Sequence, residues 1–386
     1  MGTSLFVAAA VLFATAAADQ NQPLPVWNVA KDYEIGRTGL GLSGPVGALV
    51  GKTGALMILD NTEPFFRLHD ANGRQKAALV RRGGGPGELQ HPLRLGWRND
   101  SVWVYDANQN RITLYSPAGK YLASRTFAAN PLPGVVRLNP IALLDRGGTL
   151  VVGATVDEDI ARSRVTIPIA VVEQASGNAR VVASLEWAHQ TLEVKVHALG
   201  NTGQGYFDQP FSDDPLWAVA KDGRTLAVIE REVPVIGFPA KFTITILSAG
   251  GDTVARGFAP YKPVPLGGPA VDAAVADILR IRFSGDPNLK VDERDLRSHL
   301  YRPRFLPPAF SLNVGRDGTI WVRTSPPTLA PHSEYLVFDK EGSPLARLTI
   351  PLSGRHRLLE ADLSRLWVST DAEDGTPLVV AFRIVH

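Results

Sequence analysis

The chain has 386 residues, 45% of them hydrophobic and 20% charged, with a net charge of +2 and no cysteine. That balance suits one globular domain and supplies no clustered basic field for nucleic acid. The missing thiols exclude disulfides, thiolate metal sites and a cysteine-linked lipid anchor.

Residues 1–18 read as a signal peptide. Leu5 to Phe13 is an apolar run too short to span a membrane, and Ala16-Ala17-Ala18 suits cleavage before Asp19. The expected location is therefore periplasmic or extracellular, with no transmembrane segment. Residues 19–386 form the expected folded domain, beginning with a linker and a strand at Pro25-Val26-Trp27-Asn28-Val29. Gly39 to Gly44 has the spacing of a dinucleotide fingerprint but lacks a βαβ context, so it reads as a loop. Gly47 to Thr53 falls one residue short of a phosphate loop and reads as a strand entering a turn. Arg81 to Leu89 is glycine-rich. Its main-chain N–H groups beside arginines suit an anion cradle, or simply a connection between units.

Trp97 to Tyr121 carries the pattern that organises the rest. Turn residues Asn99-Asp100-Ser101 precede the β-forming run Val102-Trp103-Val104-Tyr105. A second turn follows, then a strand through Ile112 and Leu114, then Pro117-Ala118-Gly119. The first strand recurs at Leu56, Val102, Leu150, Leu226, Ile320 and Leu366, and its partner at Phe65, Arg111, Ile167, Phe242, Tyr335 and Leu378. Without insertions the period is about 46–48 residues, which fits four-stranded propeller blades. Such hairpins cannot stand alone, but repeats can bury one another. The expected fold is all-β: a six-bladed β-propeller. The last copy ends after its third strand, so residues 25–35 are expected to pair with residues 377–386 and close the ring.

Two departures interrupt the repeat. Glu186 to Asp214 is a long connection. Gly267 to Pro308 holds a helical insertion, centred on residues 269–304. Val271, Ala274, Val275, Ile278 and Leu279 follow helical spacing, Ser284 to Pro287 breaks the pattern, and Asp292 caps a second helix carrying Leu296 and Leu300. The insertion could cap one mouth of the central channel or decorate the rim.

Gly87-Glu88-Leu89-Gln90-His91-Pro92, with Asp100 to Asp106 and Asn108 to Tyr115, resembles one NHL repeat. With Phe310 to Arg323 and Asp374 to Arg383, the chain resembles the secreted bacterial six-bladed β-propeller proteins related to NHL-repeat proteins. The resemblance implies an architecture and names no substrate.

No nucleophile elbow or His-Glu-x-x-His motif is present, and the eight histidines are scattered. Asp106 to Asn110 begins like a calcium loop but has Arg111 and Pro117 where glycine and glutamate are needed, so it reads as a turn. Trp97, Trp103, Trp321 and Trp367 sit at or beside strand positions and read as packing between units. The expectation is a monomeric binding or scaffolding propeller that contacts a protein, peptide or glycan through one face. No cofactor and no catalytic residue is assigned. The alternative is a metal-assisted hydrolase or lyase, lactonase-like or amidating-lyase-like, with calcium or zinc at the channel mouth and ligands that the sequence leaves unnamed. Candidate ligand-binding residues are Arg82, Glu88, Arg302, Arg304 and Arg323, because guanidinium groups suit carboxylate or phosphate capture.

Overall fold

A computed structural model describes residues 23–386 apart from 38–40, 146, 155–163, 190, 199–200, 232–233, 235–237, 281–289, 327–331, 355 and 386. The signal-peptide reading, Gly39-Leu40 of the fingerprint-like Gly39 to Gly44 loop and the Ser284 to Pro287 break lie outside the described residues.

The repeat folds into antiparallel meanders, each hydrogen-bonded in chain order. After β1 (Val26–Ile35), the first sheet is β2 (Pro45–Val50), β3 (Leu56–Asp60), β4 (Phe66–His69) and β5 (Gln75–Leu79). The second is β6 (Pro92–Arg98), β7 (Ser101–Asp106), β8 (Arg111–Tyr115) and β9 (Tyr121–Thr126). The third is β10 (Arg137–Leu143), β11 (Gly148–Ala154), β12 (Val165–Glu173) and β13 (Ala179–Trp187). A hairpin, β14 (Thr191–Ala198) and β15 (Asn201–Asp208), intervenes. The fourth sheet is β16 (Leu216–Val219), β17 (Thr225–Glu230), β18 (Lys241–Ser248) and β19 (Thr253–Pro260). Then come α1 (Gly268–Arg280), β20 (Lys290–Val291) and α2 (Glu293–His299). The fifth sheet is β21 (Ser311–Val314), β22 (Ile320–Arg323), β23 (Ser333–Phe338) and β24 (Pro344–Ile350). The sixth takes β25 (Arg357–Ala361), β26 (Arg365–Asp371), β27 (Pro377–Val385) and, as its fourth strand, β1.

The sheets stand as the blades of a β-propeller. The first strand of each lies innermost, and neighbouring inner strands touch: β2 with β6 and β25, β6 with β10, and β21 with β16 and β25. Sheets three and four meet at Gly223, where a Cβ would lie 3.0 Å from the Ala142 Cβ. Burial falls outward. Every residue of β3 and β22 is buried, whereas β9 is mostly exposed. The second strand lies between two neighbours, which is why its sequence runs continuously apolar instead of alternating. Trp103, Trp321 and Trp367 occupy equivalent places on β7, β22 and β26 and are at most 2% exposed, as packing between sheets requires. The turns follow their residues too. Asn99 and Asn110 take left-handed φ values of 52° and 45°.

The ring closes as its ends predict. β1 pairs antiparallel with β27 from Asn28↔Val385 to Ile35↔Val379, with a shift between Lys31 and Tyr33. The Trp367 Nε1–H donates to the Tyr33 hydroxyl at 2.9 Å and locks this register. The start of β1 also pairs in parallel with β24 at Val26↔Arg347 and Trp27↔Leu348. One strand thus removes the edge of the sixth sheet and stitches it to the fifth.

The insertion builds a satellite core. Ala270, Val271, Ala274, Val275 and Ile278 of α1 pack with Leu296 of α2 against Leu192, Val194 and Val196 of β14. β20 pairs with β14 at Val196↔Val291. Asp292 caps α2 by accepting from the Asp295 N–H at 2.9 Å. Leu279, expected on the buried face, is 39% exposed. The helical period carries it to one edge of the stripe, while Ala270 is buried at the opposite edge.

Candidate functional site

Turns between first and second strands, and between third and fourth, open on one end of the ring. They line a cavity of about 1190 Å³ that draws on all six sheets, for example through Lys52, Asp100, Asp145, Asp222, Asp317 and Asp362. Its wall includes the apolar Leu49, Leu56, Met57 and Leu68, together with Trp97. The rim charges pair between neighbouring sheets: Lys52 with Asp100 at 2.7 Å, Arg224 with Asp145 at 3.2 Å, and Arg316 with Asp362 at 2.7 Å. The cavity is therefore apolar in its depth with a charge-paired rim. Among the described residues, none of the lining comes from the helical insertion.

A second feature lies on the ring axis. Lys221, in the turn after β16, offers its main-chain oxygen to the Trp97 N–H of β6 at 2.7 Å. Its Nζ lies 3.9 Å from where a Cβ on Gly47 of β2 would stand. A residue of the fourth sheet can touch the first and second sheets only by reaching across the middle. Arg94 of β6 and Arg357 of β25 are open to water, yet protein surrounds them enough that burial lowers both guanidinium pKa values. Both descriptions hold for side chains that line a channel. An Arg357 Nη2–H donates to the Pro45 oxygen, joining sheets six and one. Glu360 on β25 is 3% exposed. Its carboxylate accepts from the Ala361 N–H at 3.1 Å, and Oε2 has no hydrogen-bond partner among the described residues. Burial pushes its pKa up to about 7 against the opposing pull of Lys221. Burial pushes Lys221 down, while Glu360 pulls it back up and Arg94 and Arg357 push it further down.

The third feature sits where the satellite joins the ring. His189 Nδ1 lies 3.1 Å from Asp213 Oδ1, and the Tyr301 hydroxyl donates to Asp213 Oδ2 at 2.9 Å. The His189 and Tyr301 rings stack 3.7 Å apart. Asp214 accepts from the Ala188 and His189 N–H groups at 2.9 and 2.7 Å. His189, Asp213 and Asp214 offer ligand atoms within 4.8 Å of one another and could hold a cation. Every one of these carboxylate oxygens already takes an internal contact. Buried Arg231, which donates to the Asp214 main-chain oxygen at 2.6 Å, also supplies positive charge. A divalent ion would compete with both, so the donor set fits a clamp better than a resident metal.

The sequence-selected residues fall in three places. In the loop joining sheets one and two, the Glu88 carboxylate accepts from the Gly85 N–H at 2.8 Å and from Arg81 Nε at 2.7 Å. The expected anion cradle is thus occupied by the chain's own carboxylate. Arg82 donates to the Gln90 oxygen at 2.9 Å and lies over the Phe65 ring. Arg302 and Arg304 are exposed beside α2, the first donating to the Arg297 oxygen at 2.8 Å and the second lying over Phe305. Arg323 is 3% exposed and donates to the Gly354 oxygen at 3.2 Å. It sits beside Tyr335 and His356, whose pKa burial lowers to about 4. The structure places Arg82 and Glu88 in one loop without pairing them, since Glu88 takes Arg81 and Arg82 turns to Gln90, and it keeps Arg323 in the interior.

Arg94, Lys221, Arg357 and Glu360 were not singled out from the sequence. Their one signal is a charge on or next to an otherwise apolar inner strand.

No family model and no curated protein matches this chain. Among solved structures it is similar to a calcium-binding protein, regucalcin, from Agrobacterium tumefaciens, at 14% identity and a TM-score of 0.40, covering 93% of this chain and 96% of that one. A member of the DUF4221 family from Bacteroides vulgatus gives 9% identity and a TM-score of 0.46, covering 93% and 99%. A luciferin-regenerating enzyme gives 10% identity and a TM-score of 0.41, covering 92% and 95%. None of these likenesses is strong enough to carry a residue role or a substrate to this chain.

Proposed function

We propose that this protein is an exported, monomeric binding propeller, related to NHL-repeat proteins, with six blades formed by the six four-stranded sheets. Its ligand is a segment of protein, peptide or glycan seated in the turn-face cavity. The observation that carries this reading is the convergence of turns from all six sheets on one large opening with apolar depth and a paired rim. Concave apolar pockets with a few polar groups are where ligands bind, and rim pairs select orientation at little energetic cost. The test screens peptide and oligosaccharide panels against the full mature chain by calorimetry. Trp97→Ala and Lys76→Glu, both altering the cavity wall, should weaken a true ligand about tenfold. A ligand that both variants bind as tightly as the parent would reject the cavity as its site.

The second reading is metal-assisted, with calcium or zinc, and its candidate ligands among the described residues are His189, Asp213 and Asp214, whose ligand atoms an ion would have to take from their present partners. It requires bound metal on elemental analysis and hydrolysis of a lactone, ester or amidated peptide that disappears on chelation and in Asp213→Asn.

A further inference from the structure

We infer that the axial channel holds a small oxyanion, a carboxylate or a phosphate group, between Arg94, Lys221 and Arg357. The Lys221 Nζ lies 3.9 Å from where a Cβ on Gly47 of β2 would stand, Arg357 donates to the Pro45 oxygen of the same strand, and Arg94 stands on β6, which packs on β2. Glu360 is the acid that attracts Lys221. Burial makes the Lys221 charge costly unless a counter-charge joins it. Low-dielectric walls also focus the field of whatever remains unpaired. Glu360 attracts the Lys221 ammonium, but no hydrogen bond from that ammonium or from the Arg94 guanidinium is formed among the described residues, so their donors are available. Gly47 leaves room beside Lys221, where a side chain would press on Leu95. Arg94 and Arg357 remain open to water, so an anion can reach them. Oxygen acceptors of a carboxylate or phosphate match guanidinium and ammonium donors in charge and geometry.

The same charges weigh against a divalent cation on the axis. Lys221 also lines the turn-face cavity, but this inference does not require that cavity to bind a macromolecule.

Calorimetry on the mature chain at low ionic strength tests it, with inorganic phosphate and acetate in separate titrations. Saturable binding of either probe is expected, and the better probe identifies the group. Lys221→Met and Arg94→Gln should each lower its affinity about tenfold or more. Their melting curves establish that they fold. A pH series with acetate adds a readout that structural damage would not mimic. As pH falls from about 8 to about 6, Glu360 takes up a proton and stops repelling the anion. Burial lowers Lys221, so any proton it takes up acts in the same direction, and Asp362, whose pKa is lowered, stays anionic. Arg94, Arg357 and Arg316 face the same groups as fixed guanidinium donors. Acetate binding should therefore strengthen as pH falls, and Glu360→Gln should flatten the change. No saturable heat with either probe, or equal affinity in both cation variants and the parent, would overturn the inference. Either result leaves the turn-face reading standing, because Trp97→Ala and Lys76→Glu test that separately.

Discussion

Asp60 and Asp106 show how a single residue shapes the repeat. Each ends the second strand of its sheet and is fully buried. Asp60 accepts from the Ser43, Gly44 and Asn61 N–H groups, and Asp106 from those of Gln90, His91 and Gln109. Each carboxylate thereby gathers the chain entering its sheet onto the turn leaving the second strand. Asp60 also lies 3.6 Å from buried Arg67, whose Nε and Nη1 have no hydrogen-bond partner among the described residues. Asp106→Ala should cost about 2–3 kcal/mol through orphaned N–H groups. Asp60→Ala should cost more, about 3–5 kcal/mol, because it also strands a buried cation. Equal losses in denaturant melts would mean that Arg67 does not depend on Asp60. In the sequence these aspartates look like ordinary turn formers. Their burial depends on segments 15 to 17 residues away.

At the scale of elements, the satellite differs from the ring in how it is held. α1 was legible from its stripe of apolar residues, and α2 from its Asp292 cap. The hairpin β14–β15 was read only as a long connection. Its partners, α1 and β20, lie far along the chain, so no local period announces it. The satellite has its own core, with Val275 at 1% exposure. Val275→Asp should therefore loosen the satellite without unfolding the ring. Hydrogen exchange should rise by about tenfold or more in 191–208 and 268–300, while β3, β7 and β22 keep their protection. Uniform loss of protection would show that ring and satellite unfold as one unit.

The whole molecule depends on closure. β1 is the fourth strand of the sixth sheet and also touches β24, so it covers edges that would otherwise pair with other chains. A chain lacking residues 1–37 should lose several kcal/mol of stability and elute as oligomers. Adding a peptide of residues 23–37 should restore the monomer. If the shortened chain stays monomeric and equally stable, β1 is an ornament instead of a clasp. Closure also creates the turn-face cavity, which exists only because the inner strands and their turns face one axis.

The sequence by itself determined the repeat, the all-β propeller class, the closing strand, the two helices and the packing role of three tryptophans. These follow from strand and helix periods and from turn chemistry, which act over a few residues and recur. Tertiary structure alone decided that Lys221 of the fourth sheet reaches the first and second sheets and that Arg323 lies inside. Those placements depend on which sheets meet across the ring. Residues separated by more than a hundred positions carry no local mark of such a meeting.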